Sequence, residues 1–340
     1  MSLSFLAKTA LARIKYSFGV RTPLRVLHRI TSRCNLECTF CDHQAHRREK
    51  SELSTEALKE CMSQFAKLGT ITWGITGGEV FLRKDLLEIL HHAHGLGFFT
   101  SMITNGTIAS AEQIAEASRY LEFLVTSVDG SPEGMEKVRG PGVFDKVVRT
   151  IENAKRNKLP VIVGTVLTRD LIDMDGIRFM GQFAKEMGVR VSFQNLLLTG
   201  PYGGTGFSDA KENIVPHEPD RERLFEALDL ILDMRKQGYP FVNNRPWVDF
   251  VKNHIQGTLK PSTCYAGMLY CNFFEDGTVR TCQYHPQRVN ESSIAESIAK
   301  LAGVFDDCPC LAICYVNYNL AFDFNWTMIL DGARNAFYRV

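Results

Sequence analysis

Between residues 24 and 197 the chain alternates short apolar, β-branched runs with segments of helical spacing. The runs are Leu24–Thr31, Ile71–Thr76, Phe98–Thr104, Glu122–Val128, Val161–Leu167 and Val189–Leu197. Helical patterns lie between them near 54–68, 84–94, 110–118, 142–157 and 173–187, the first with Ser54 as N-cap and Gly69 just past its end. Strands joined by helices of this length pair in parallel, because each crossover returns the chain to the same end of the sheet. A closed barrel needs eight such units, and the sequence after residue 200 does not supply two more. The expectation is therefore an α/β fold: an open, partial (β/α)6 barrel.

In parallel α/β architectures the working groups gather at the carboxyl ends of the strands. The polar residues of this chain gather there too. The first strand leads into Cys34, Cys38 and Cys41, and the second into Thr76-Gly77-Gly78-Glu79. The third ends in Thr104-Asn105-Gly106. The fourth ends at Ser127 and Asp129-Gly130, with Arg139-Gly140 shortly after, and the sixth at Gln194-Asn195 before Leu196. Gly-Gly-Glu, Asn-Gly and Asp-Gly are each ordinary turn chemistry. Recurring in phase at one end of successive strands, they mark a site.

The cysteines say what kind of site. Ten occur in 340 residues: three within Cys34–Cys41, one at Cys61 and six between Cys264 and Cys314. Disulfide frameworks belong to short secreted chains, and no signal peptide is recognisable here, so the clusters point to metal. Cys61 falls in a helical pattern with Leu58, Met62, Phe65 and Leu68 and reads as a small buried hydrophobe. Three thiolates at C-x3-C-x2-C spacing suit a four-iron cubane with one iron left open. The competing reading is zinc, completed by His43 or His46.

The triplet, with Phe40 before its last cysteine, the glycine pair followed by Glu79, and Ser127 on strand four resemble the radical S-adenosylmethionine (radical SAM) enzymes over roughly residues 24–200. The resemblance implies a [4Fe-4S] cluster on Cys34, Cys38 and Cys41 whose open iron chelates S-adenosylmethionine (SAM). It implies Gly77, Gly78 and Glu79 along the SAM amino group, and Ser127 and Arg139 towards its ribose and carboxylate. Phe40, Asn195 and Leu196 would border the adenine, and Asn105 belongs to the same cofactor-binding set. The implied activity is reductive cleavage of SAM to a 5′-deoxyadenosyl radical, which abstracts a substrate hydrogen in an oxidation or a radical bond formation. Flavodoxin or ferredoxin is the expected electron donor.

After residue 200 the texture changes. Residues 201–220 are rich in Gly, Pro and charge and read as a loop or linker. Arg221–Gln237 reads as an amphipathic helix. Leu269–Glu275 and Thr278–Cys282 flank Asp276-Gly277, a hairpin signal, and a helix follows near 292–302. The run C-x12-G-x4-C at Cys264, Gly277 and Cys282 resembles the SPASM and twitch auxiliary-cluster domains of radical SAM proteins. The resemblance implies one auxiliary [4Fe-4S] cluster on Cys264, Cys282, Cys310 and Cys314, with two clusters as the alternative; Cys308 and Cys271 are rivals for a ligand position. The expected plan is thus a TIM-type partial barrel at 24–200, a small cysteine-rich hairpin and helix domain at 221–318, and a helical tail at 319–340.

Residues 1–23 form a basic amphipathic segment, with Lys8, Arg13, Lys15 and Arg21 among apolar residues. It packs on the domain or lies in a membrane interface. Only 33 residues precede Cys34, so a fused peptide-leader domain is not expected. Net charge is +1, which gives no reason to propose nucleic acid, and no uncharged apolar run reaches the roughly 18 residues of a spanning helix. A cytoplasmic location, with or without peripheral membrane contact, is expected. The substrate stays open among small molecules, lipid precursors and peptides. The reading from another class is a non-catalytic zinc- or iron–sulfur-binding interaction protein.

Overall fold

The computed structural model describes residues 11, 14–15, 18–41, 51–169, 171–195, 220–258, 264–282 and 287–301, with Asn195 described by its backbone alone. Statements below concern these residues. The expected strands and helices recur within a few residues of their sequence positions. They are β1 Arg25–Thr31, α1 Thr55–Leu68, β2 Thr72–Gly77, α2 Leu86–Gly95, β3 Phe99–Thr104, α3 Ala111–Ala117 and β4 Phe123–Ser127. Then come α4 Pro132–Arg139, α5 Val143–Arg156, β5 Val161–Leu167, α6 Met174–Met187 and β6 Arg190–Asn195. The second part holds α7 Arg221–Lys236, α8 Arg245–Ile255, β7 Tyr270–Phe274, β8 Val279–Arg280 and α9 Ile294–Lys300.

Local chemistry fixes the ends of these helices. Ser54 accepts from the Ala57 amide, and Gly69 closes α1 at φ 99°, a left-handed position where glycine has no Cβ to clash. Ser110 and Gln113 form a reciprocal capping box on α3. Two helices escaped the sequence pattern, α4 and α8. Each begins at a side-chain cap, Ser131 or Asn244, with a proline in the first turn, but α4 is only eight residues long and carries Gly134 inside it.

Strand order is β6-β5-β4-β3-β2-β1-β7-β8. All neighbours from β6 to β7 are parallel, and only β8 is antiparallel. The edge strands β6 and β8 do not pair with one another, so the barrel is open. The hairpin expected in a small module of its own extends this sheet instead. Arg25 to Arg29 of β1 stand in register with Tyr270 to Phe274 of β7. At the other edge Asn243 imitates a strand, its side chain accepting from Phe193 N (2.7 Å) and donating to Phe193 O (2.9 Å). That covers ladder groups which an edge would otherwise offer to another chain.

One face of the sheet is covered by helices and holds the core. Phe65, Trp73 and Phe273 are wholly buried there. Trp73 stacks on Phe98 at 5.2 Å and meets Phe65 edge-on; truncation of such an aromatic to alanine costs about 3–5 kcal/mol. The concave face is emptier. Phe99 and Ile103 of β3 remain 44% and 38% exposed, whereas Gly74 of β2 and Gly164 of β5 carry no side chain. The fold therefore leaves a hollow on the side where the strand ends carry their polar residues.

Of the N-terminal segment, Leu11, Ile14, Phe18 and Val20 are exposed. Arg21 is already committed, donating from Nη1 to Ile298 O (3.0 Å) and Leu301 O at the end of α9, where a cation complements the helix dipole. No helix among the described residues is long and apolar enough to cross a membrane.

Candidate functional site

The cysteine loop leaves β1 and is tied down by three other segments. The turn after β2 hydrogen-bonds it through the backbone, Gly78 N to Thr31 O (2.9 Å) and Glu79 N to Arg33 O (2.7 Å). The end of β3 reaches it through Asn105, whose Nδ2 donates to Asn35 Oδ1 at 2.9 Å. Helix α4 holds its far side, Thr39 N donating to Val138 O at 3.0 Å.

This packing accounts for both glycines. A Cβ at Gly77 would stand 2.5 Å from Thr31 O, and one at Gly78 2.1 Å from Arg33 O and 3.0 Å from Cys34 Cβ. The pair lets the two loops approach more closely than any side chain allows. Glu79, expected along the SAM amino group, turns its carboxylate inward and is fully buried. One oxygen accepts from Phe81 N (3.1 Å) and Thr104 Oγ1 (2.7 Å), the other from Asn105 N (2.7 Å). Burial raises its pKa, and the three hydrogen bonds oppose that rise. Its visible task is to set Asn105.

Two cysteine sulfurs have N–H donors. Asn105 Nδ2 lies 3.8 Å from Cys34 Sγ, and Arg139 Nη1 lies 3.8 Å from Cys38 Sγ. Each donor stands on a buried carboxylate. Asn105 rests on Glu79, and the Arg139 Nε donates to Asp129 Oδ2, whose other oxygen accepts from Val166 N at 2.7 Å. The Arg139 guanidinium also lies 5.2 Å from the Phe40 ring centre. Arginine and phenylalanine, expected beside the SAM ribose, carboxylate and adenine, thus brace the loop itself. Burial pushes the Cys38 thiol up to about 11, with Arg139 pulling the other way, so metal binding there must displace a proton.

Thiol donors whose sulfurs receive N–H groups fit an iron–sulfur centre, where such bonds tune the cluster. No three His, Cys, Asp or Glu side chains among the described residues converge on a single-ion position. His43 and His46 lie outside those residues.

Farther along the concave face Ser127 is half-buried, in register with Gly164. The Gln194 amide nitrogen lies 3.4 Å from where a Gly164 Cβ would be. Ser127 and Gly164 share one level of the hollow, and Gln194, opposite Val166 on β6, reaches back towards Gly164 with its amide. Gln194 is a site candidate that the sequence placed at a strand end without assigning it a role; the alternation of inward and outward residues along β6 would have found it. Asn195 ends β6 opposite Leu167, and Leu196 lies outside the described residues.

In the second cysteine set Cys264 and Cys282 are both buried, and Cys264 Sγ is 3.3 Å from Tyr270 Oη. Cys271 stands opposite Val26 and belongs to the apolar core on the helix-covered face. Burial raises its pKa strongly, the state of an inert packed thiol. Cys308, Cys310 and Cys314 lie outside the described residues.

Comparison with known proteins agrees with this geometry. Residues 29–178 match the model of the radical SAM superfamily. The chain is 34% identical over 158 residues to the PqqA peptide cyclase of Bradyrhizobium diazoefficiens, covering 45% of this chain and 41% of that one. It is 30% identical over 240 residues to the Fe-coproporphyrin III synthase of Methanosarcina barkeri, covering 68% and 56%. These matches thus span between two fifths and three fifths of the relatives' own length. Among solved structures, Streptococcus suis SuiB bound to S-adenosylmethionine superposes with a TM-score of 0.66 at 16% identity, over 83% of this chain and 67% of that one. Native anSMEcpe with bound AdoMet gives 0.64 at 20% identity, over 82% and 80%. At such identities the structural likeness speaks for the fold.

Proposed function

We propose, for a chain whose residues 29–178 form a radical SAM domain, that it binds a [4Fe-4S] cluster at Cys34, Cys38 and Cys41 and uses it on SAM to take a hydrogen atom from a peptide substrate. The observation that carries this is the braced cysteine loop: three thiols on one loop, with Cys34 and Cys38 receiving N–H donors held by buried carboxylates. When bound, the cluster and SAM together supply a 5′-deoxyadenosyl radical from reductive cleavage of SAM, the hydrogen-abstracting species.

The chain's own residues fix where this happens. Asn105 and Arg139 orient the thiolates, and the Arg139 guanidinium neutralises part of their charge. Ser127 and Gln194 both face the hollow and offer a hydroxyl and an amide to the ribose and adenine of SAM. The sheet with its helices screens the loop from water on one side. The peptide assignment draws on the relatives, since the names of the PqqA peptide cyclases and of SuiB bound to precursor peptide SuiA both specify peptides. Cys264 and Cys282, with Cys310 and Cys314, make a four-thiolate set that leaves no open iron, the donor set of an electron acceptor. That favours a net oxidation or a bond formed after oxidation, with a flavodoxin or ferredoxin as the outside reductant.

Anaerobic purification and reconstitution test the reading. The expected result is a brown protein holding iron and sulfide that releases 5′-deoxyadenosine from SAM after reduction, and Cys34→Ala abolishes that release. Colourless protein with stoichiometric zinc and no SAM cleavage under strong reductant would falsify it and leave the zinc-binding interaction protein. Cys282→Ala keeps cleavage in the absence of substrate and loses product. Deuterated candidate peptides identify the substrate through label carried into 5′-deoxyadenosine.

A further inference from the structure

Among the described residues, Arg280 is a half-buried cation without a paired anion. It ends β8, paired across the ladder with Asn272 of β7. Its guanidinium lies 4.2 Å from the Phe274 ring centre, and that of Arg29, on the other neighbouring strand, lies 4.4 Å from the same ring. Arg29 is satisfied, since Glu275 accepts its Nε and Nη2 at 2.7 and 2.8 Å. Arg280 has no such carboxylate. Its Nε is shut off from solvent and has no hydrogen-bond partner. The charges acting on it are led by two like ones, Arg288 and Arg29, ahead of Asp276 and Glu275.

An arginine in that position is costly to the empty protein. Desolvation and two like charges both oppose it, and the π face of one ring offsets only a part. An oxyanion in the guanidinium fork removes the penalty. The backbone narrows the kind of anion. Phosphate sites recruit several main-chain N–H groups, but those of the hairpin turn are taken: Gly277 N by Phe274 O, Thr278 N by Asp276 Oδ1, and Val279 N by Val289 O. One planar fork remains, which matches the two oxygens of a carboxylate.

We infer that Arg280, on the Phe274 face beside Arg29, is the binding site for a carboxylate of the substrate. The placement suits that task. Arg29 lies near the end of β1, five residues before Cys34, and Arg280 two residues before Cys282. A carboxylate held there tethers a substrate between the two cysteine sets. The substrate role rests on the radical SAM reading, whereas binding of a carboxylate at Arg280 does not.

The test is ligand-observed NMR on the reconstituted full-length protein at constant ionic strength, with glutarate as probe, glutaramide as its neutral analogue and inorganic phosphate as the rival. Glutarate is expected to bind saturably and glutaramide not at all. Arg280→Gln weakens glutarate about tenfold or more, and Arg280→Lys, which keeps charge but loses the fork, falls between. Equal affinity for glutarate in wild type and Arg280→Gln overturns the proposal. Phosphate binding that exceeds glutarate and depends on Arg280 replaces carboxylate by phosphoryl and overturns it as stated. A change in the auxiliary-cluster spectrum of Arg280→Gln, with glutarate binding unchanged, assigns the arginine to that cluster and overturns it too. Loss of SAM cleavage in the wild-type protein would count against the enzymatic reading, not against the anion site.

Discussion

The two sulfurs at the start of the cysteine loop are braced by the same plan in different chemistry. At Cys38 the donor is a guanidinium paired with Asp129, charge against charge and almost out of solvent, with side chains 9% and 0% exposed. At Cys34 the donor is the neutral amide of Asn105, held by a buried carboxylate that has three N–H and O–H partners and no cation. The first brace brings charge to the cluster; the second brings geometry. Breaking a buried ion pair strands a charge, whereas weakening a hydrogen-bonded carboxylate strands only dipoles. The two ends should therefore fail differently.

The largest expected effect lies where the cysteine loop and the turn after β2 approach most closely. Gly78→Ala puts a Cβ on the Arg33 carbonyl and forces the loop away from Glu79, so iron content after reconstitution drops to near the Cys34→Ala level. Gly95→Ala, where a new Cβ meets nothing within 4 Å, is the control and leaves iron content unchanged. Next comes Arg139→Gln. It leaves Asp129 buried and unpaired at a cost of about 3–5 kcal/mol, read as a lowered Tm, and it lowers the cluster's reduction potential as the charged N–H donor to Cys38 is lost.

Glu79→Gln is milder, about 1–3 kcal/mol, because its new NH2 faces an N–H or O–H donor already in place. Asn105→Ala spares more stability still and lowers the potential less than Arg139→Gln does. Equal potential shifts for the Asn105 and Arg139 variants, measured by redox titration with electron paramagnetic resonance, would erase the distinction between the braces.

Away from the braces, a further effect is a matter of pH in the core behind β1. His28 is buried between Trp73 and Phe273, and burial, helped by Arg83, lowers its pKa to about 3. The unfolded chain takes up this proton near 6.5 while the folded chain refuses it. Its contribution to stability is thus whole above about 6.5 and is lost as pH falls towards 3. His28→Phe flattens that part of the stability profile; an unchanged slope between pH 6.5 and 4 would show that other groups set it.

Much of this architecture was legible in the chain. Alternating apolar runs and helical spacing gave the parallel strands and the open barrel, because those periods are local properties. The cysteine triplet pointed to a metal centre by its spacing. The site's fine assignment was not local. Glu79 reads as a turn carboxylate expected along the SAM amino group, but its oxygens are engaged at the end of β3, 25 residues on. Arg139 reads as an anion receptor, and Asp129 takes it. Neither partner can be chosen until the strands are side by side.

The hairpin shows the same division. Asp276-Gly277 fixed a reversal of the chain, since a turn involves only its own residues and Gly277 takes φ 84° as such a turn requires. Which edge that hairpin joins was settled by β1, whose free flank accepts β7 in parallel register. That choice sets Arg29 and Arg280 on either side of Phe274. By itself the sequence determined most of the secondary structure and the parallel order of β1 to β6, and it singled out Cys34, Cys38 and Cys41 as candidate metal ligands. Tertiary structure alone decided which polar groups are spent on one another and which, like Arg280, are left for a ligand, because hydrogen-bond partners are allotted by distance in space.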